Sequence, residues 1–315
     1  MPMNDEALAL LNEKYIARTP HMREIGMRIT ALERGRGTML LPARPDWMGD
    51  PVRGLMHPGA LTVLADSACG LAVGSMLDKR VPYATLDLRM DYLRPAGPDR
   101  DTCCAAQCYR MTRSVAFVRA EVWQDDPGAP IAVAQGTFML GTASRARPPA
   151  GARDDEPAWA APERSDPLAL GRAVPYVDFL GIRHAPAGEH SVYRMPFQQK
   201  LVGNPWLPAL HGGVIAGFAE TAATVHLIAN LPGSKFPKSV DFSIDYLRSG
   251  RPEETFSSCE TVRVGTRAAL VQVRCWQKSP DYPIAAARAH FLLAEMDDAA
   301  RPAPSSADAT PDAAA

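Results

Sequence analysis

The chain has 315 residues, of which 46% are hydrophobic and 22% are charged, and its formal net charge is -1 at pH 7. This composition is typical of a folded globular protein, and the charge gives no general attraction to nucleic acid. No apolar run approaches the roughly 20 residues that cross a bilayer. The first residues lack a basic start followed by an apolar core, so we predict no signal peptide and a cytoplasmic location.

The predicted elements begin with a complete α+β unit. A short amphipathic helix over 5–17 is followed by extended segments near 24–32 and 37–44. A loop rich in Pro and Gly then leads to a long apolar helix over 57–77, whose many small residues suit close wrapping by a sheet. Four strands rich in β-branched and aromatic residues follow, near 83–94, 102–112, 114–124 and 130–141.

A second unit of the same kind follows a segment without apolar periodicity. Residues 143–171 are rich in Ala, Pro and charged residues and are predicted to form a linker. The tail, 297–315, has the composition of a disordered segment. Between them we predict strands near 180–185 and 190–197, a helix over 212–230, and strands near 238–247, 255–264, 268–278 and 283–294.

The two units share sequence as well as element order. His57-Pro58-Gly59, with Asp66 nine residues after the histidine, matches His211-Gly212-Gly213, with Glu220 nine residues after the histidine. The two histidines are 154 residues apart, and the same offset joins Asp91-Tyr92-Leu93-Arg94 with Asp245-Tyr246-Leu247-Arg248. One helix covers too little of such a sheet, so we predict that domains 1–142 and 172–296 form an internal pseudo-dimer.

The string His-x-Gly-x-x-x-x-Leu-Ala-Asp, on a helix before four strands, resembles the hotdog-fold acyl-CoA thioesterases, and in particular their PaaI-like branch. The stretch from Leu207 to Ala216 is a strong instance of that signature. The resemblance implies an α+β class, with a curved antiparallel sheet wrapped around one long helix in each of two tandem domains. It also implies hydrolysis of a thioester to a free acid and coenzyme A, without a metal or a redox cofactor.

The same resemblance assigns roles within the motif. The residue after the histidine donates an N–H to the oxyanion, the acid nine residues after the histidine supplies a carboxylate, and an Asn ahead of the histidine orients water. These roles agree with simple chemistry, because a helix N-terminus offers free N–H groups and positive potential to a developing negative charge. A carboxylate can then act as a nucleophile or as a general base for water.

One repeat is not expected to form a complete site. From Gly59 to Asp66 the helix advances seven residues, which is roughly 10 Å of rise. The acid is therefore poorly placed for a carbonyl at the start of its own helix. We predict that each acid serves the helix start of the other repeat, which gives two composite sites.

The two predicted sites differ in quality. The first joins Asp66 with Asn204, His211, Gly212 and Gly213. The second joins Glu220 with Asp50, His57, Pro58 and Gly59, and there Pro58 has no N–H to donate and Asp50 places a negative charge where the first site has Asn204. We predict that the first site is active and that the second is weak or dead.

Some assignments stay open at the level of sequence. Asn204 precedes His211 by seven residues, where the family more often has six, so a turn role is an equal alternative. The histidines can be structural residues of the helix start. Ser67 and Thr221, which follow the acids, can be helper hydroxyls but are better explained as helix-packing residues.

Four arginines are candidates for coenzyme A contact. Arg94 and Arg248 end strands and can bind phosphate or pair with the neighbouring aspartates. Arg113 and Arg267 lie at predicted turns, where the resembled family often has a basic residue near the nucleotide. The six cysteines lack the spacing of a metal site and are predicted to be reduced thiols packed in strands.

Two other functions compete with hydrolysis. A hotdog hydratase or dehydratase resembles a different pattern, with an Asp shortly before a His, which occurs here only as Asp46 and Asp50 ahead of His57. A non-catalytic acyl-CoA binding or sensing protein is supported by Pro58, for one site only. The expected partner is an acyl-CoA rather than nucleic acid or a membrane, and exposed sheet edges would permit a homodimer of this chain, a pseudo-tetramer of domains.

Overall fold

The computed structural model of the chain describes residues 3–79, 81–141, 174–187, 190–204, 208–231 and 235–295. The predicted linker, 143–171, and the predicted disordered tail, 297–315, lie outside these residues. Within them, each repeat consists of one long helix and a set of antiparallel strands, in the predicted order.

The described part of the chain contains five α-helices, of which two are long: α1 Asp5–Leu11, α2 Pro20–Glu24, α3 Pro58–Met76, α4 Pro175–Leu180 and α5 Gly212–Asn230. A π-helical turn, Asn12–Ile16, continues α1. The short helices α2 and α4 were not predicted; they stand directly ahead of the extended segments predicted near 24–32 and 180–185, which the structure has as strands at 28–33 and 183–187. Each helix begins with a proline at its first position and is followed by a glycine in the left-handed conformation, Gly26 (φ 69°) or Gly181 (φ 71°), which are signals of a helix start and a helix end.

The strands follow the repeat. The first repeat contains β1 Arg28–Glu33, β2 Arg36–Leu41, β3 Met48–Asp50, β4 Leu55–Met56, β5 Tyr83–Tyr92, β6 Thr102–Met111, β7 Val115–Trp123 and β8 Ala132–Leu140. The second contains β9 Arg183–Ala187, β10 His190–Met195, β11 Val202–Asn204, β12 Ala209–Leu210, β13 Lys235–Tyr246, β14 Thr255–Val264, β15 Ala268–Trp276 and β16 Ala285–Glu295. The pairs β3–β4 and β11–β12 are small ribbons directly ahead of α3 and α5.

The two repeats share one continuous sheet. Twelve strands are ordered β1-β2-β6-β7-β8-β5-β13-β16-β15-β14-β10-β9, and β5 pairs antiparallel with β13 where the repeats meet. Arg89 faces Ser243 at the middle of that pairing, and these two positions are 154 residues apart. The junction therefore has the self-complementary register of a two-fold dimer interface, within one chain.

The two long helices form the core between the halves of the sheet. Both have the length and mean hydropathy of a membrane span. The prediction that no apolar run approaches this length is therefore wrong. Their most apolar windows are 83% and 72% buried inside the fold, however, so the structure uses them as core helices. Every residue of α3 from Gly59 to Val73 is buried, by the sheet on one side and by α5 on the other.

Candidate active site

The site geometry depends on a close crossing of α3 and α5. A Cβ added at Gly213 would lie 2.6 Å from the Cα of Val63, and one added at Gly59 would lie 2.9 Å from the Cα of Gly217. Only glycine permits such an approach of two backbones. The crossing places the N-terminus of each helix beside the second turn of the other, so each acid comes from the partner repeat.

His211 caps its own helix. Its Nδ1 accepts a hydrogen bond from the Gly213 N–H at 3.0 Å, and its Nε2 lies 3.2 Å from the Ser67 hydroxyl of the other repeat. That hydroxyl donates to the Val63 carbonyl at 2.8 Å, so it accepts from Nε2–H and fixes the neutral tautomer. Burial lowers the pKa of His211, although the charge of Asp66 opposes the shift. The histidine thus holds the helix start and ties the two repeats together.

Asp66 lies at the N-terminus of α5, as the rise of the helix predicts. Its Oδ2 accepts from the Gly213 N–H at 2.9 Å and lies 3.4 Å from Nδ1 of His211. Its Oδ1 accepts from the Thr85 hydroxyl of β5 at 2.9 Å. The carboxyl is 6% exposed, and the positive end of the helix dipole stabilises its negative charge. The carboxylate is therefore fixed in orientation at the point where a carbonyl would meet the helix.

Gly212 supplies the remaining donor of this site. Its N–H is the first of α5 and makes no hydrogen bond within the described part of the chain. The Tyr246 hydroxyl donates to the Gly212 carbonyl at 2.8 Å, which fixes this peptide. Burial, with a smaller contribution from Asp66, raises the pKa of Tyr246 well above its usual value, so the hydroxyl keeps its proton. A Cβ at Gly212 would lie 3.1 Å from Oδ2 of Asp66, so a side chain at this position would crowd the carboxylate.

The second predicted site has a different arrangement. Glu220 faces the first turn of α3, but its Oε2 accepts from the Tyr92 hydroxyl at 2.9 Å and from Thr62 at 3.4 Å. The Gly59 N–H donates to Nδ1 of His57 at 3.0 Å, and the preceding residue, Pro58, has no N–H. This helix start therefore offers no counterpart of the free Gly212 donor.

Burial changes the ionisation of Glu220. The side chain is 0% exposed, and this burial raises its pKa to about 8, against the smaller lowering by the hydroxyls of Tyr92, Thr62 and Ser239. Its Oε1 has no hydrogen-bond partner in the described part of the chain. The acid is thus mainly protonated at neutral pH and is a poor general base.

An aromatic ring closes the second site. Tyr176, the second residue of α4, stacks on the His57 ring with centroids 4.5 Å apart and planes 17° apart. A Cβ at Gly217 would lie 2.5 Å from its hydroxyl oxygen. His21 has the same position in α2 and contacts His211 with ring centroids 5.3 Å apart. Each histidine thus packs against an aromatic ring, a tyrosine at one site and an imidazole at the other.

Asp50 and Asn204, the residues that precede the two histidines, have different surroundings in the structure. Asp50 is buried and accepts at Oδ1 from the N–H groups of Val52 and Arg53, both at 3.1 Å, while the Arg53 guanidinium lies 3.2 Å from Oδ2. Asp50 therefore closes its own loop. Asn204 is exposed and pairs with Ala209 in the ribbon ahead of α5. Its role toward water stays a prediction.

The four arginines are exposed at the surface of the fold. Arg248 donates to the Pro283 carbonyl at 2.6 Å, and Arg113 and Arg267 lie in the turns before β7 and β15. Asp91, the alternative partner of Arg94, is held instead by Arg89 at 2.6 Å. Contact of these arginines with coenzyme A stays a prediction.

Sequence reasoning missed the hydroxyl groups that fix both acids. Thr85 holds Asp66, Tyr92 holds Glu220, and Tyr246 holds the Gly212 peptide. The sequence contained a signal for the two tyrosines, because Tyr92 and Tyr246 recur at the repeat offset within the shared Tyr-Leu-Arg motif. Only the arginines of that motif were assigned a role. The six cysteines are free thiols. Among the described residues no group of three or more His, Cys, Asp or Glu side chains could hold a metal ion.

A family model described as the thioesterase superfamily matches residues 53–131 and 207–284, one segment in each repeat. The chain belongs to the thioesterase superfamily. It is 29% identical over 150 residues to the medium/long-chain acyl-CoA thioesterase YigI of Escherichia coli K12, an alignment that covers 44% of this chain and 96% of the relative. The family predicted from the motif is thus confirmed.

Solved structures extend the likeness over both repeats of this superfamily member. The tesB protein of Mycobacterium avium subspecies paratuberculosis aligns with a TM-score of 0.60 at 12% identity, covering 84% of this chain and 96% of that chain. A protein with a hot dog fold from Alicyclobacillus acidocaldarius aligns with a TM-score of 0.59 at 15% identity, covering 85% and 96%. These alignments confirm the predicted fold, a tandem pair of hotdog domains.

Proposed function

We propose that this chain hydrolyses acyl-CoA thioesters to a free acid and coenzyme A, at the site between Asp66 and the start of α5. The observation that supports this most is the position of Oδ2 of Asp66, 2.9 Å from the Gly213 N–H and beside the Gly212 N–H, which has no hydrogen-bond partner among the described residues. A fixed carboxylate and a free donor at a helix N-terminus are the two groups that thioester hydrolysis needs. The likeness to YigI, named an acyl-CoA thioesterase, supports the substrate class.

In the proposed mechanism the thioester oxygen accepts a hydrogen bond from the Gly212 N–H, where the helix dipole stabilises the developing negative charge. Asp66 either removes a proton from water as the water attacks the carbonyl carbon, or attacks that carbon itself. In the first route the water oxygen bonds to the carbonyl carbon, the C–S bond breaks, and the proton that Asp66 took from the water passes to the sulfur of coenzyme A. In the second route the Asp66 oxygen bonds to that carbon and coenzyme A leaves as a thiolate; water then cleaves the anhydride, which releases the free acid, regenerates the carboxylate and supplies the proton that the thiolate takes up. His211 is neutral and holds the helix start.

The second site is proposed to contribute little to turnover. Pro58 removes one donor, and loss of one oxyanion donor typically reduces the rate about 100- to 1000-fold. Glu220, whose pKa burial raises to about 8, is held by Tyr92 and Thr62 rather than by the helix start. An acid that keeps its proton at neutral pH does not activate water.

Three further assignments complete the proposal. Arg94, Arg113, Arg248 and Arg267 are proposed contacts for the phosphates of coenzyme A. The chemistry needs no metal and no redox cofactor, because the carboxylate activates water or attacks the thioester and the backbone donor stabilises the oxyanion. We propose a cytoplasmic location, and a homodimer as the assembly.

The experiment compares two conservative variants on a panel of acyl-CoAs, following release of the free thiol. We expect Asp66→Asn to reduce kcat/KM about 100- to 10,000-fold, and Glu220→Gln to change it by less than about threefold. Loss of turnover in Glu220→Gln with turnover spared in Asp66→Asn would reverse the assignment. Tight binding of acyl-CoA by the unmodified chain without thiol release would favour the sensing function.

A further inference from the structure

A serine of the first repeat contacts the histidine that caps the long helix of the second. The Ser67 hydroxyl donates to the Val63 carbonyl at 2.8 Å, so it accepts from Nε2 of His211, which lies 3.2 Å away. Burial lowers the pKa of His211, and the neutral imidazole therefore carries its one proton on Nε2. The lone pair of Nδ1 then accepts from the Gly213 N–H at 3.0 Å. Ser67 and the Gly213 N–H thus select the same tautomer from opposite sides of the ring.

The tautomer of His211 determines which groups the carboxylate of Asp66 meets. Oδ2 of Asp66 lies 3.4 Å from Nδ1 and accepts from the same Gly213 N–H, at 2.9 Å. Oδ1 is already held by the Thr85 hydroxyl at 2.9 Å. In the tautomer with Nε2–H, no proton lies between Nδ1 and Oδ2. In the other tautomer Nδ1–H would donate to Oδ2, and a further donor to a carboxylate stabilises its charge and makes it a weaker base and nucleophile.

The second site has the same contact between a hydroxyl and a histidine, but its acid is held elsewhere. The Thr221 hydroxyl donates to the Gly217 carbonyl at 2.6 Å and lies 3.4 Å from Nε2 of His57. The acid of this site, Glu220, accepts instead from the Tyr92 hydroxyl at 2.9 Å. The two hydroxyl contacts join the repeats in the same way and differ in what lies beside the imidazole. Thr221 is therefore a matched control for Ser67.

We infer that Ser67 is a positioning residue for hydrolysis at the first site, because it holds the proton of His211 on Nε2 and so leaves Oδ2 of Asp66 free to act on water or on the thioester carbon. This inference rests on the proposed function. The Ser67 hydroxyl gives its own proton to the Val63 carbonyl, so Ser67 acts through His211 and supplies no proton to the reaction. Packing between the helices, the role expected from the sequence, would be served equally well by alanine.

The test measures kcat/KM for acyl-CoA hydrolysis, by thiol release, and the tautomer of His211, by nitrogen NMR of the histidine rings. Ser67→Ala leaves the buried Nε2–H without an acceptor, which typically disfavours a state about 5- to 100-fold, so we expect kcat/KM to fall about tenfold or more and the signal of the Nδ1–H tautomer to appear. Ser67→Thr keeps the hydroxyl, in the form that the second repeat has at position 221, and should retain both the activity and the tautomer. Thr221→Ala removes the matched contact and should leave both unchanged.

The ring signals of His211 are identified by their loss in His211→Asn. If Ser67→Ala does not fold, Ser67→Cys decides the question, because a thiol is a weaker acceptor and should change kcat/KM and the tautomer in the same direction. An active chain in which Ser67→Ala keeps its turnover, or loses it with the tautomer unchanged, would overturn this inference and leave the proposed function intact. An equal loss in Thr221→Ala would also overturn it, because the contact would then serve only to join the repeats. An unmodified chain that releases thiol from no acyl-CoA would overturn the proposed function and this inference with it.

Discussion

Replacing Glu220 with Gln should change how the stability of the protein depends on pH. The folded state holds the proton of Glu220 up to a pKa of about 8, whereas the unfolded chain releases it near the ordinary value of 4.5. Between these values the unfolded state binds fewer protons than the folded state, so the free energy of unfolding falls as pH rises. Below the lower value both states are protonated and this contribution to stability is fully present.

The magnitude follows from the size of the pKa shift. A rise from 4.5 to about 8 corresponds to a loss on the order of 5 kcal/mol across the window. Burial raises the pKa of Tyr92 and Tyr176 well above their usual value, so these hydroxyls keep their protons throughout the window. Burial lowers the pKa of His57 to about 3, and its titration in the unfolded chain raises stability with pH, but this contribution is the same in both chains and cancels in their difference. Because Gln cannot ionise, the free energy of unfolding of Glu220→Gln should increase relative to that of the unmodified chain, by several kcal/mol, as the pH rises through this window.

Urea unfolding at a series of pH values measures this difference directly. The control is Glu260→Gln, the same change at an exposed position of β14, for which the difference from the unmodified chain should stay constant. A Glu220→Gln difference that is also constant between pH 4.5 and about 8 would show that Glu220 is ionised in the folded protein, and the account of the second site would be wrong.

Four further substitutions test the division between the sites. Gly212→Pro places at this helix start the proline that the first repeat has at position 58, and it removes the N–H of residue 212. We expect kcat/KM to fall about 100- to 1000-fold. Gly212→Ala also places a Cβ beside Asp66 but keeps the N–H, so its kcat/KM should fall much less. Tyr246→Phe removes one neutral hydrogen bond to the Gly212 carbonyl and should reduce kcat/KM by up to about tenfold without changing the fold, as circular dichroism would verify. Pro58→Gly in an Asp66→Asn background should restore no thiol release, because Glu220 stays protonated; recovered turnover would contradict this.

The sequence predicted the repeat, the two long helices and the crossed arrangement of acid and helix start, because periodicity, motif spacing and helix rise are local properties. It did not predict α4, because a helix of six residues is too short to show helical periodicity, and so it missed Tyr176. Nor did it predict that Asp50 turns toward the N–H groups of its own loop. These features depend on packing between repeats and on side-chain orientation, which residue spacing does not specify.

Covalent joining explains how the two sites can differ. In a dimer of identical chains, a proline at the helix start or a glutamate in place of the acid would alter both sites at once. Here Pro58 belongs to the first repeat and Glu220 to the second, yet both lie at the same site, and neither touches the contact between Asp66 and Gly213. Changes can therefore accumulate at one site while the other keeps its donors. The stacking of Tyr176 on His57 and the contact of His21 with His211 join the two repeats at both sites, whatever each site has kept of its donors.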